Sequence, residues 1–226
     1  VSKMKKKIAI LGSTGSIGKS TLAVIRKDKK NFNVILLTAN NNYKKLIKQA
    51  KEFKAKNVLI NNEKYYSKIK KSLKKTKVFF GDVPVNKIIS TKVDYTMAAV
   101  VGLAGLQPTI DAVKASKRVA IANKETIICA WDVLSKYIKK YKTEIVPVDS
   151  EHFSIYELTK KISDAEVEEI IITASGGPFL KKKLKNIKKV TPKEAVKHPN
   201  WNMGKKISID SANLMNKVFE IIEAHK

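Results

Sequence analysis

The sequence predicts an α/β protein in which a parallel sheet flanked by helices is followed by a second, α+β unit. Two observations predict it. Through the first two thirds of the chain, short β-branched runs alternate with longer amphipathic segments, the pattern of repeated strand–helix–strand units. After Val148 that alternation gives way to carboxylates, serines and a Gly-Gly-Pro turn. A boundary is therefore expected near Val146, dividing the chain into 1–145 and 146–226.

Each element has its own signal. Residues 8–11 form a short apolar strand, and 19–26 carry apolar positions at helical spacing. Residues 34–37 are the second strand and 43–53 the next helix. A third strand at 57–60 precedes a helix at about 65–73. Later strands are expected at 93–100 and 118–122, with a helix at 106–115 between them. A long helix over 125–141 leads into a strand at 144–148. Near the end, 211–224 reads as one further helix. Residues 181–189, dense in lysine, read as a solvated loop, and no internal repeat is present.

Composition removes several function classes. Hydrophobic residues make up 43% of the 226, ordinary for a globular chain with a buried core. No apolar run is long enough to span a bilayer, and Val1-Ser2-Lys3-Met4 shows no signal-peptide pattern, so cytoplasm and no membrane partner are expected. The one cysteine, Cys129, excludes an internal disulfide and a cysteine-built zinc site. It is expected to be a small buried hydrophobe. The net charge of +26 would suit nucleic acid. But only Arg26 and Arg118 are arginines, the lysines are spread through every helix, and few are interleaved with aromatics. That distribution reads as a lysine-biased composition, and no nucleic-acid partner is expected. The charge still favours anionic small molecules.

Gly12-Ser13-Thr14-Gly15-Ser16-Ile17-Gly18 lies between a strand and a helix, where a phosphate-binding turn belongs. Glycines permit the tight turn, and backbone N–H groups at Thr14, Gly15, Ser16 and Ile17 face an anion at the helix N-terminus. The spacing is G-x-x-G-x-x-G, and a P-loop would need glycine at Ser13. NAD enzymes commonly close the second strand with an acid that binds the ribose 2′-hydroxyl. Here that strand runs into Asn40, Asn41 and Asn42, followed by lysines. With no carboxylate to repel a 2′-phosphate, the hypothesis is that the cofactor is NADPH; equal turnover with NADH at the same low concentration would count against it.

Asp149 and Glu151 stand two apart at a strand end, so both can point the same way. Hard divalent ions take such oxygen ligands, although an exposed acidic turn or a helix cap is the plainer reading of the spacing. Glu220 offers a third carboxylate. Asn216 and Glu220 are four apart on one helix face, with Lys217 beside them, a pattern that also suits a solvent face. Ser175-Gly176-Gly177-Pro178 offers a hydroxyl and backbone donors for a phosphate, or simply a turn.

Taken in order, the glycine turn, Ala122-Asn123-Lys124-Glu125, Val148-Asp149-Ser150-Glu151-His152, Ser175-Gly176-Gly177-Pro178-Phe179, His198-Pro199-Asn200-Trp201 and Ser211-Ala212-Asn213-Leu214-Met215-Asn216-Lys217 resemble the 1-deoxy-D-xylulose 5-phosphate reductoisomerase family. The resemblance implies an N-terminal Rossmann-like NADPH-binding domain and an α+β catalytic and metal-binding domain. It implies a further helical C-terminal domain that these 226 residues lack. Thr14, Gly15, Ser16 and Ile17 correspond to the pyrophosphate turn, and Asn40 and Asn41 to the ribose-phosphate contacts. Asn123, Glu125 and Gly204 correspond to further cofactor contacts. Asp149, Glu151 and Glu220 match ligands of Mg²⁺ or Mn²⁺. Lys124, Ser150 and Glu151 match substrate contacts. Ser175, Ser211, Asn216 and Lys217 match the substrate phosphate pocket beside Glu220. His198 and Trp201 match a mobile flap. Lys124, Glu151 and His198 are the catalytic candidates.

The implied reaction isomerises a sugar phosphate by carbon–carbon cleavage and rejoining, then reduces the resulting aldehyde with NADPH. A homodimer is implied for the full-length enzyme. Two other readings are open. One is an NADP-dependent dehydrogenase of the homoserine or semialdehyde type, which needs only the opening turn. The other is a lysine-rich nucleic-acid-binding module. Asn213 and Leu214 depart from the family's usual threonine and methionine. Without the further domain, Val218, Phe219 and Ile222 are expected to leave apolar surface exposed.

Overall fold

A computed structural model describes residues 4–200 and 204–226. Two compact units divide between Val148 and Asp149.

The first unit is a seven-stranded parallel sheet in the order β4-β3-β2-β1-β5-β6-β7. Its strands are β1 (Lys6–Leu11), β2 (Phe32–Ala39), β3 (Asn57–Ile60), β4 (Lys77–Phe80), β5 (Tyr95–Ala98), β6 (Arg118–Ile121) and β7 (Glu144–Pro147). The helices between them are α1 (Ser16–Lys27), α2 (Tyr43–Phe53), α3 (Tyr66–Ser72), α4 (Val85–Ile88), α5 (Leu106–Ala115) and α6 (Lys124–Tyr141). Parallel strands covered on both faces read as continuous apolar runs, and β1 shows how one such run serves two layers. Ile8 and Ile10 point to one side, where Leu22, Leu46, Ile60 and Ile69 bring in α1, α2 and α3. Ala9 and Leu11 point to the other, against Val113, Ile127 and Leu134 of α5 and α6.

Local chemistry starts and stops the helices. Asn42 caps α2 by accepting from the Lys45 N–H at 3.2 Å, and Asn123 caps α6 by accepting from Thr126 at 2.9 Å. Lys54 and Lys142 end α2 and α6 in the left-handed conformation, each at φ 50°. Within α6 the helix kinks at Ala130. Thr126, Ile127, Ala130 and Leu134 turn inward. That register sends Cys129 outward, so it is exposed and not the buried hydrophobe expected.

Chain order reverses between β1 and β5, which are paired from Ile8↔Tyr95 to Leu11↔Ala98. Ligand crevices in such sheets open at this switch point, beyond the carboxyl ends of the strands. Gly12 follows β1 there at φ +77°, and a Cβ on it would stand 2.6 Å from the Ala99 carbonyl oxygen. Only glycine meets both conditions.

The second unit contains α7 (Ser150–Thr159), α8 (Leu184–Ile187), α9 (Pro192–Ala195), α10 (Lys205–Ala212) and α11 (Met215–His225). No strand is assigned among its described residues. The β-branched run 167–174 crosses it without a strand assignment. An extended run becomes a strand only when a neighbour completes its hydrogen-bond ladder. The single helix expected from Ser211 is broken, because Leu214 takes a left-handed φ of 62° and separates α10 from α11. Val218 and Ile222 are exposed as anticipated, whereas Phe219 is half-buried. Among the described residues no helix is long and apolar enough to cross a membrane.

Candidate phosphate turn and acidic centre

The turn after β1 is pinned from beneath. The Gly12 N–H donates to Thr38 Oγ1 at 2.9 Å, and the Ser13 N–H donates to the Thr38 carbonyl at 2.9 Å. Gly15 donates to the Gly12 carbonyl at 3.0 Å. Its N–H is thus spent inside the turn, where the sequence suggested an anion donor. Ser16 and Ile17 open α1, whose first turn holds no acid and whose N-cap Gly15 supplies no side-chain cap. Their N–H groups have no partner within the helix by its geometry, and an anion suits that end. Gly18 seats the helix on the turn, for a Cβ there would come 2.4 Å from the Gly12 carbonyl oxygen. These features fit a dinucleotide pyrophosphate.

Asn40 and Asn41 are exposed beyond β2. The Asn41 side-chain oxygen accepts from Asn62 Nδ2 at 2.7 Å, which leaves the Asn41 amide N–H groups for a ligand. Asn123 is 3% exposed. Its Nδ2 donates to Val100 O at 2.5 Å and Gly102 O at 2.8 Å, while its oxygen caps α6. The whole amide therefore shapes the segment before α5. Lys124 and Glu125 form the first turn of α6.

In the second unit an open cavity of about 840 Å³ gathers Asp149, Ser150, Glu151, Ser175, His198, Ser211, Asn216, Lys217 and Glu220. Every second-unit residue marked as a site from the sequence lines it, except Gly204, which caps α10. Trp201 lies outside the described residues. The turn at the start of α7 supplies Asp149 and Glu151, and α11 supplies Asn216, Lys217 and Glu220 on one face. Ligand atoms of Asp149, Glu151 and Glu220 all lie within 4.8 Å of one another. Three convergent carboxylates are the donor set a hard divalent cation takes.

Like charges this close need compensation. Lys217 Nζ lies 3.0 Å from Glu151 Oε1 and also bonds Glu220 Oε2 and the Thr173 carbonyl. Asn216 donates to Glu220 Oε1 at 2.5 Å. Burial pushes the Glu151 carboxyl up, but hydrogen bonds with Asp149, Ser150 and Lys217 outweigh it and hold the pKa at about 2. Burial depresses Lys217, and its bonds to Glu220 and Glu151 more than reverse this, so its pKa is raised.

The hydroxyl side is preorganised too. Ser175 Oγ lies 3.0 Å from His198 Nε2. Gly177, at φ +65°, is packed so that a Cβ would stand 2.5 Å from the Ser211 carbonyl oxygen. That contact fits the Ser-Gly-Gly-Pro turn against α10.

Sequence reasoning missed His152. It is 6% exposed, its Nε2 lies 2.9 Å from the Glu220 carbonyl oxygen, and its Nδ1 lies 3.6 Å from Glu223 Oε2 and 3.9 Å from Asp149 Oδ1. It joins α7 to α11 directly behind the carboxylates. The three-residue step from Glu220 to Glu223 was the available signal.

Sheet order, switch-point glycine turn and convergent carboxylates define a doubly wound α/β protein of the dinucleotide-binding fold with a cation-type acidic centre. The chain belongs to the 1-deoxy-D-xylulose 5-phosphate reductoisomerase family. The family's sequence pattern matches residues 8–131, and the pattern of its C-terminal domain matches 145–226. The enzyme of that name from Pelagibacter ubique is 56% identical over 98% of this chain, and that of Caldanaerobacter subterraneus 47% identical over 97%. The chain spans 58% of the length of each. The Zymomonas mobilis enzyme, solved in complex with NADPH, superposes with a TM-score of 0.89 at 39% identity, over 98% of this chain and 57% of that one. A DOX-P reductoisomerase solved with NADPH, fosmidomycin and magnesium gives 0.87 at 39% identity, over 97% and 57%. Membership of this family sets aside the homoserine-type dehydrogenase and the nucleic-acid module.

Proposed function

We propose that this chain is the cofactor- and metal-binding part of an enzyme that converts 1-deoxy-D-xylulose 5-phosphate, NADPH and a proton to 2-C-methyl-D-erythritol 4-phosphate and NADP⁺. The observation that carries the reading is the convergence of Asp149, Glu151 and Glu220 in one cavity with Ser175, Ser211, Asn216 and Lys217. When bound, a divalent metal supplies Lewis-acid polarisation of a carbonyl and NADPH supplies hydride.

Each residue then has a task. The first unit is the cofactor domain and the second the domain of metal and phosphate. Asp149, Glu151 and Glu220 hold Mg²⁺ or Mn²⁺. Ser175, Ser211, Asn216 and Lys217 bind the sugar phosphate, whose remote binding energy orients the reacting carbons. Lys217, which here bonds Glu151 and Glu220, would turn to the phosphate once a metal held those carboxylates. Ser150 and Lys124 contact the substrate's oxygens. His198 closes over the substrate, excluding water. Ser16 and Ile17 donate to the pyrophosphate beside Thr14 and Gly15, and Asn40 and Asn41 bind the 2′-phosphate. Glu125 and Gly204 contact the cofactor, and Asn123 shapes the 100–102 backbone beside it. The full-length enzyme works as a homodimer in the cytoplasm.

The test is NADPH oxidation with 1-deoxy-D-xylulose 5-phosphate, with and without Mn²⁺, on this chain and on one extended to the length of its relatives. Metal-dependent oxidation by either supports the reading. Silence from both, with NADPH still bound, would remove the substrate assignment.

A further inference from the structure

Gln49 is buried in α2 at 6% exposure, where its neighbours Leu46 and Ala50 are apolar. A buried amide is costly unless both ends are bonded. Here both are spent on one residue of the phosphate turn. Ser13 Oγ donates to Gln49 Oε1 at 2.8 Å, and Gln49 Nε2 donates to the Ser13 carbonyl at 2.8 Å. Ser13 itself is fully buried. Its Oγ also lies 3.1 Å from the Thr38 carbonyl, which accepts the Ser13 N–H.

The result is a division of labour within the turn. The polar groups of Gly12 and Ser13 that face inward are bonded by Thr38, Gln49 and Gly15. The exposed shoulder, Gly15, Ser16 and Ile17, is turned outward. Without Gln49, the Ser13 carbonyl would be buried with no donor in place. The turn could recover one only by rotating that peptide, and rotating it would re-aim the N–H groups that follow.

We infer that Gln49 is a positioning residue for the cofactor: through Ser13 it holds the 12–18 turn in the shape that receives a pyrophosphate. The inference rests on the cofactor reading above. An ordinary core glutamine would contribute to stability alone, and the two cases separate experimentally.

The experiment measures dissociation constants for NADPH, ADP and 2′-AMP by fluorescence and calorimetry in the full-length chain, well below its melting temperature. The variants are Gln49→Met, which keeps length and an apolar body, and Ser13→Ala, which removes one of the two bonds. Gln49→Met is expected to weaken NADPH and ADP by roughly 10- to 100-fold, the scale of a buried group left unpaired. Ser13→Ala is expected to weaken them by less. Binding of 2′-AMP, whose phosphate meets the Asn40–Asn41 loop, is expected to stay within about twofold, since that loop keeps its Asn62 bond. Should Gln49→Met not fold, Ser13→Ala decides by the same comparison. Unchanged NADPH and ADP affinity, or equal losses for all three ligands, overturns the inference. A parent chain that binds neither NADPH nor ADP overturns the cofactor reading, and this inference with it.

Discussion

Lys217 Nζ stands 3.0 Å from Glu151 Oε1 and also bonds Glu220, so a protein cation already occupies part of the space between the carboxylates. A divalent ion entering there competes with it. Lys217→Ala is predicted to tighten Mn²⁺ binding by roughly fivefold, the effect of about 1 kcal/mol from a partly exposed pair. The same change is predicted to raise the sugar-phosphate concentration needed for turnover. Mn²⁺ titration followed by electron paramagnetic resonance checks the first part, and steady-state kinetics the second. Weaker Mn²⁺ binding would show that Lys217 supports the carboxylates without competing for them.

Glu220 is 1% exposed and receives bonds from Asn216 and Lys217. Glu220→Gln keeps its size and removes its charge. The prediction is at least about a hundredfold loss of Mn²⁺ affinity, because changes merely adjacent to a metal ligand cost about 10- to 100-fold. NADPH affinity should hardly move. A parallel collapse of NADPH binding would mean that Glu220 acts on the fold and not on the metal.

His152 bridges α7 to the α11 backbone from behind the centre. His152→Phe fills the space without a donor for the Glu220 carbonyl. Mn²⁺ binding is predicted to weaken by about tenfold, as for outer partners of a metal ligand. Calorimetric titration at a temperature where the variant is fully folded reads the effect, and parental affinity would dismiss it.

Acid should expose the ion pairing around Glu151. Its folded pKa of about 2 lies below the ordinary carboxylate value of 4.5, so its contribution to stability is complete above about 4.5 and is lost as pH falls towards 2. Denaturant unfolding of the metal-free protein at pH 6, 4 and 3 should show this decline. Glu151→Gln should decline less. Equal declines in both proteins would assign the acid sensitivity to other carboxylates.

Gly18→Ala presses a methyl group against the Gly12 carbonyl at 2.4 Å and Ser13 Cα at 2.6 Å. The predicted cost is about 1–3 kcal/mol, typical of overpacking, with NADPH binding reduced as well. Equilibrium unfolding in urea measures it, and an undiminished stability would show that α1 can shift away freely.

The sequence makes some of these features legible and hides others for identifiable reasons. β1, β2 and β3 are readable because strands covered on both faces carry unbroken apolar runs between turns. β4 is not, because Val78, Phe79 and Phe80 make a short edge strand set among lysines. α7 is hidden because its apolar residues lie on all sides and show no helical stripe. The break at Leu214 is hidden because leucine seldom adopts a left-handed φ. At the acidic centre, Asp149 and Glu151 are neighbours in the chain, whereas Glu220 joins them only through α11. Gln49 carried no signal at all, since its partner lies on a different element and glutamine on a lysine-rich helix looks like surface.

The shared boundaries of the glycine turn set an order of events during synthesis. Thr38 binds the turn from one side and the Ala99 carbonyl crowds Gly12 from the other, and β1 acquires its second partner only when β5 has been made. The glycine turn, made ahead of most of its unit, is therefore among the later motifs in that unit to reach final form. Distant pairing of this kind slows folding. Until it is complete, β1 offers an open edge to other chains, a window in which a chaperone or the cofactor itself would have most to contribute.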